Sequence, residues 1–179
     1  MTTRYALFAA GLAVSALCAA DRGESSHMTQ QELVGAWRLL DIGVEGPGGR
    51  EVDPFYGPGS RGLLIYDVSG WFSVQIEGSA RPAVQVPSVR PVPTQSQSAA
   101  RASAAALDSY YAYYGTWSFD PRTSTVTHHA QGALYPSEDT ATYAQHVEIV
   151  GRQLIFSRQQ NVAGHLTLQT KRWERVSAD

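Results

Sequence analysis

Gly62-Leu63-Leu64-Ile65-Tyr66-Asp67-Val68-Ser69-Gly70-Trp71-Phe72-Ser73-Val74-Gln75-Ile76-Glu77 is two apolar runs around a tight turn, and it sets the pattern for the chain. Both runs are rich in strand-forming residues, and the second alternates with a period of two. Asp67-Val68-Ser69-Gly70 supplies turn chemistry, because glycine reaches the positive φ that such a turn needs. The stretch therefore reads as a β-hairpin. Trp71, Ser73 and Gln75 share one face, and Phe72, Val74 and Ile76 share the other. Alternation alone does not say which set faces the core.

Outward from the hairpin the same period continues. A first strand is expected near Leu33 to Val44, ended by a turn at Pro47-Gly48-Gly49. Residues Asp53 to Arg61 carry Pro54, Gly57, Pro58 and Gly59 and read as a loop. Further strands are expected at Tyr110 to Asp120, Thr125 to Leu134, Tyr143 to Val150, Gln153 to Arg158 and His165 to Val176. Ser79 to Ser98 differs. Pro82, Pro87, Pro91 and Pro93 lack the N–H that a central strand donates, so this is an extended insertion. It is either a solvated loop or a lid over a barrel mouth. Ala99 to Leu107 is Ala-rich and predicts a short helix. About eight strands joined by hairpins must curl or split, and closure removes the exposed edges. The expected fold is all-β: a single antiparallel up-and-down β-barrel of about eight strands, with a short helix and a Pro-rich insertion.

The chain has 179 residues and is 43% hydrophobic, enough for one packed domain. Its formal net charge is −2 and no basic stripe runs along it, so nucleic acid is not expected as a partner. Residues 1–28 read as a signal peptide and linker, and residues 29–179 as the barrel domain. Arg4, the apolar run Tyr5 to Leu17, and Ala19-Ala20 form an export-leader pattern. That run is shorter than a membrane span of about 20 residues, so no transmembrane span is expected in the mature protein. The expected location is periplasmic or secreted. Acylation at Cys18 and a cytoplasmic start at Met28 stay open as alternatives. Cys18 is the chain's one cysteine, which leaves the body without disulfides, thiol catalysis or a Cys-based metal site.

Gly35-Ala36-Trp37 on the first strand and Arg172 on the last resemble the lipocalin signature, in which an arginine packs across a tryptophan that closes the barrel. By alternation Leu166, Leu168, Thr170 and Arg172 share a face, so Arg172 is expected to point inward onto Trp37. Leu33-Val34-Gly35-Ala36-Trp37-Arg38-Leu39, Gly62 to Tyr66, Tyr111 to Trp117 and Val126 to Ala130 are together similar to the bacterial and fungal lipocalin-like domain family. The likeness spans most of residues 29 to 176. It departs in the Ser79–Ser98 insertion and in the leader.

The resemblance implies the fold more than the function; a barrel interior lined by aromatics with a few polar groups suits the binding of a small hydrophobic molecule. The alternative is an enzyme, an isomerase, cyclase or dehydratase, acting on a hydrophobic metabolite with His128 and Tyr113 as proton-handling groups. A third reading is an envelope interaction module that uses the Pro-rich loop. His128 and His129 are adjacent on one strand and face opposite sides, so they cannot share a metal. His128, on the face of Val126 and Ala130, is expected inside, either as a structural hydrogen-bonding group or as a ligand contact. Tyr111, Tyr113, Gly115, Trp117 and Phe119 form the inward set of their strand, as core or as pocket wall. The candidate ligand-contacting residues are Tyr66, Trp71, Ser73, Gln75, Tyr111, Tyr113 and His128, and the structural ones are Gly35, Trp37 and Arg172. No catalytic residue is assigned. No phosphate loop, Gly-x-Ser-x-Gly elbow, zinc helix or close carboxylate pair is present, so neither cofactor nor metal is expected. Oligomeric state leaves no signal.

Overall fold

The computed structural model describes residues 28–84, 96–162 and 164–177. The leader, and residues 85–95 at the heart of the Pro-rich insertion, lie outside the described residues.

The elements in chain order are α1 (Gln30–Leu33), β1 (Gly35–Gly46), β2 (Gly49–Val52), β3 (Arg61–Tyr66), β4 (Trp71–Glu77), α2 (Gln97–Asp108), β5 (Tyr110–Asp120), β6 (Thr125–Ala133), a 3-10 turn (Pro136–Glu138), β7 (Thr142–Val150), β8 (Gln153–Val162) and β9 (His165–Arg175). Every strand pairs antiparallel with its sequence neighbour except across β2, where β3 pairs directly with β1. The return of β9 onto β1 closes the sheet, from Trp37↔Arg175 to Glu45↔Leu168. Eight strands make the wall, and β2 flanks the outer end of β1. Closure leaves no long unpaired edge, which is the liability of an open sheet this size.

The hairpin expected over Gly62 to Glu77 forms as β3 and β4, paired Leu64↔Val74 and Tyr66↔Phe72, and Gly70 takes φ 86° in its turn. Two elements are additional to the sequence expectation. The strand expected from Leu33 starts instead at Gly35, because Thr29 to Leu33 turn into a short helix. The Glu32 carboxylate accepts the Thr29 N–H at 2.7 Å, which is the reach-back half of a Thr-x-x-Glu capping box. Arg50-Glu51-Val52, for which the sequence pattern named no element, folds back on β1 through the two-residue turn at Pro47-Gly48.

One half of the barrel is solidly packed. Trp37, Tyr66, Leu64, Ile76, Val126, Val147, Leu154 and Trp173 are almost wholly buried. Each such side chain contributes roughly 1.5–3 kcal/mol relative to exposure. Tyr66 and Trp117 lie with ring centroids 4.3 Å apart, so aromatic rings fill the bore at this level.

Candidate functional site

The closed end is built around Trp37. Its Nε1–H donates to the Leu33 carbonyl at 2.9 Å, which ties the plug to α1. The cation lying on its ring belongs to Arg175, whose Cζ sits 4.1 Å from the ring centroid. Arg175 also donates to the carbonyl oxygens of Val34 and Glu32. Arg172, expected in this place, sits on the outer face beside Asp41, its side chain 40% exposed. The correction has a clear cause. The inward set of β9 is Thr167, Gln169, Lys171, Trp173 and Arg175, the opposite parity to the one inferred from Leu166 and Leu168. Leu166 is 66% exposed, an apolar residue in the outer wall. Apolar identity was a false guide because the inside of β9 is largely polar.

A second correction concerns β4. Phe72, Val74 and Ile76 are its buried set, so Trp71, Ser73 and Gln75 face outward. Trp71 is 45% exposed and Gln75 bonds only to Ser73. None of the three touches the interior. Tyr66, Tyr111, Tyr113 and His128 do face inward.

At mid-barrel, His128 is held on both ring nitrogens. Tyr66 Oη lies 2.5 Å from Nε2 and Tyr113 Oη lies 2.8 Å from Nδ1. Phe72 stacks on the imidazole at 4.0 Å between centroids. Burial, with Lys171 and His129 adding, pushes the His128 pKa down to about 3, so the ring is neutral at ordinary pH. A neutral imidazole has one donor and one acceptor nitrogen. Tyr66 is wholly enclosed and has no other acceptor for its hydroxyl proton among the described residues. Its O–H therefore donates to Nε2. The ring proton then sits on Nδ1 and is donated to Tyr113. Tyr113, with its oxygen accepting, keeps its own O–H proton for something else.

What lies beyond Tyr113 is space. A small inner cavity of about 30 Å³ is bounded by Tyr113, His128, Gln145, Phe156, Lys171 and Trp173 among others. It holds no more than one or two waters. Above it a basin of about 320 Å³ opens at the barrel mouth. Phe55, Tyr56, Tyr111, Tyr135 and Tyr143 supply its aromatic collar, and Glu138, Gln145, Arg158, Gln169 and Lys171 its polar groups. The expected hollow interior is thus replaced by a filled lower barrel and a basin at the mouth. The collar is anchored by Asp53. This buried carboxylate accepts the backbone N–H of Phe55 at 2.9 Å and of Tyr56 at 3.3 Å, and an N–H of Gln169 at 2.7 Å.

Sequence reading missed Asp53, Tyr56, Tyr143, Gln145, Arg158 and Lys171 as site residues. Asp53-Pro54-Phe55-Tyr56 looked like loop alone, though an Asp followed by aromatics is an available anchoring signal. Lys171 had a plainer one, being the chain's single lysine. Its pKa is pushed down to about 8 by burial, then by Arg158, with Asp53 opposing. No ion pair engages Lys171 among the described residues. No cluster of three metal-ligating side chains occurs among the described residues, and no helix there is long and apolar enough to cross a membrane.

A closed eight-stranded antiparallel barrel, plugged by tryptophan and arginine at one end and open at the other, defines a lipocalin type of protein. The chain belongs to the lipocalin-like domain family, whose profile matches residues 34–176. Among solved structures it is similar to bovine odorant-binding protein in complex with a selenium-containing odorant. That match has 13% identity over 87% of this chain and 78% of that one, with a TM-score of 0.41. It is also similar to zebrafish ileal bile acid-binding protein complexed with cholic acid, at 13% identity over 80% of this chain and 98% of that one, TM-score 0.36. At that distance, what those proteins hold says nothing of this chain's ligand. No curated protein matches the sequence.

Proposed function

We propose that this protein binds a small molecule with a flat apolar body and a hydrogen-bond-accepting oxygen, seated in the mouth basin rather than deep in the barrel. The observation that carries this reading is the pair of hydrogen bonds that hold His128 between Tyr66 and Tyr113; with Tyr66 donating, the Tyr113 hydroxyl proton faces a basin walled by aromatic rings. Pockets of this size with an apolar lining and a few convergent polar groups suit small-molecule binding. Burial raises the pKa of Tyr113 and of Tyr111, so both phenols stay protonated and able to donate. The neutral imidazole of His128 orients Tyr113 and does not itself act as an acid near pH 7.

Titration calorimetry with 2-naphthamide and with naphthalene tests this. The amide should bind in the micromolar range, and Tyr113→Phe should weaken it about tenfold, the loss of roughly one hydrogen bond. Naphthalene should bind the variant and the parent alike. Equal loss for both probes, or no binding of either, would remove the reading. The same proposal places the protein outside the cytoplasm, on the strength of the leader pattern in residues 1–20. N-terminal sequencing of protein recovered from its native cells should begin after Ala20; a start at Met28 would sink the export reading.

A further inference from the structure

The one lysine of this chain is placed where a lysine is least comfortable. Thirteen of the fourteen basic residues are arginines, and among the described residues Arg38, Arg50, Arg61, Arg81 and Arg122 are held in ion pairs. Lys171 instead points into the barrel from β9, paired across the sheet with Phe156 on β8 and Ile42 on β1. It borders the inner cavity and the mouth basin together, and it is partly accessible through the mouth. Of the two carboxylates near this basin, Asp53 is committed to Phe55, Tyr56 and Gln169, and Glu138 makes no ion pair with Lys171 among the described residues, while the next charge on its side, Arg158, repels it. An ammonium so placed loses hydration without gaining a partner, which favours the neutral, nucleophilic amine.

We propose that Lys171 captures small apolar aldehydes covalently and reversibly, as an imine formed at the junction of the two cavities. The reasoning rests on the mouth-basin reading, since the basin seats the aldehyde's apolar body. The Lys171 nitrogen lone pair adds to the carbonyl carbon, and the carbonyl π pair moves to oxygen. The nitrogen gives up a proton and the oxygen gains one, producing a carbinolamine. A second protonation of that oxygen lets water leave as the nitrogen lone pair forms the C=N bond, and the resulting iminium nitrogen returns a proton to solvent to give the imine. Hydrolysis runs the same steps backward, so no oxidant or reductant enters. The Tyr113 O–H, on the wall of both cavities, is placed to bond the carbonyl oxygen. Amines lowered toward neutral pH by apolar surroundings are the ones enzymes use for Schiff bases.

The test incubates the full chain with 2-naphthaldehyde and sodium cyanoborohydride, reads intact mass, and locates the adduct by peptide fragmentation. One naphthylmethyl group per chain is expected on Lys171, formed at least tenfold faster than on free Nα-acetyl-lysine at pH 7. The rate should climb as pH rises through about 8. Lys171→Met should lose the adduct, with circular dichroism reporting that the barrel is intact. If that variant does not fold, the located adduct and pH profile of the parent decide. Labelling at the N-terminal amine alone, or at Lys171 no faster than the free amino acid, would overturn the proposal. Binding of 2-naphthamide by the parent is scored separately: amide binding without the adduct sinks the lysine chemistry alone, and an adduct without amide binding sinks the basin reading alone and leaves the lysine chemistry standing on the located adduct.

Discussion

At Gly35 the backbone takes φ 132°, a region that L side chains rarely adopt, and a Cβ there would lie 2.9 Å from Arg175 Nη1. The residue that makes the Gly-x-Trp pattern is thus required by its own backbone conformation, with the Arg175 guanidinium packed close beside it. The guanidinium combines a contact on the buried Trp37 ring with a part-buried hydrogen bond to the Val34 carbonyl and an exposed one to the Glu32 carbonyl. Arg175→Met should therefore cost about 2–3 kcal/mol in urea denaturation. Arg172→Met, removing a half-exposed cation at 3.7 Å from Asp41, should cost under about 0.5 kcal/mol. A reversed order of the two would restore Arg172 as the clasp. At mid-barrel the same logic of satisfied partners applies to His128, whose role is to fix which way Tyr113 donates.

At the scale of elements, the loop after β2 is what turns a barrel end into a basin. Its aromatic residues Phe55 and Tyr56 pack edge to face, with centroids 4.8 Å apart. They are held by one carboxylate bonded to their backbone and to Gln169 on β9. Asp53→Ala leaves those donors without an acceptor. We expect a loss of about 1–3 kcal/mol in stability and weaker 2-naphthamide binding, read by denaturation and calorimetry. Unchanged affinity in a destabilised variant would mean that the collar is not part of the site. The terminal elements are arranged differently: α1 and the plug it carries belong to the sealed end and should leave ligand affinity alone.

For the molecule as a whole, the buried neutral histidine makes stability depend on pH. The folded pKa of His128 lies near 3 and its unfolded value near 6.5. Between those values the unfolded chain holds a proton that the folded chain does not, so stability rises with pH across the window. The contribution is complete above about pH 6.5 and is lost on acidification, at up to ~1.4 kcal/mol per pH unit. Urea denaturation at a series of pH values between roughly 4 and 7 should show a steeper decline for the parent than for His128→Gln. Parallel curves would show that the imidazole is not sequestered. A closed barrel lacks independently folding halves, since β1 and β9 join the chain's two ends, and one cooperative transition is expected.

Period-two alternation, turn glycines and the absence of any long helical pattern were enough to establish an antiparallel barrel with Trp37 in it, because strand period and turn chemistry are local properties of the chain. The inward faces of β5 and β6 were legible for the same reason: Tyr113 and His128 sit in strands whose other inward residues are apolar. Where the interior is polar, as along β9, or where an outer face carries Trp71 or Leu166, residue type no longer reports direction. Only closure of the sheet, which sets β9 against β1 in one register, decided that Arg175 clasps the plug and that Lys171 looks inward. The basin likewise exists only once the loop after β2, the start of β7 and the strands β8 and β9 meet at one rim, and no local pattern encodes that meeting.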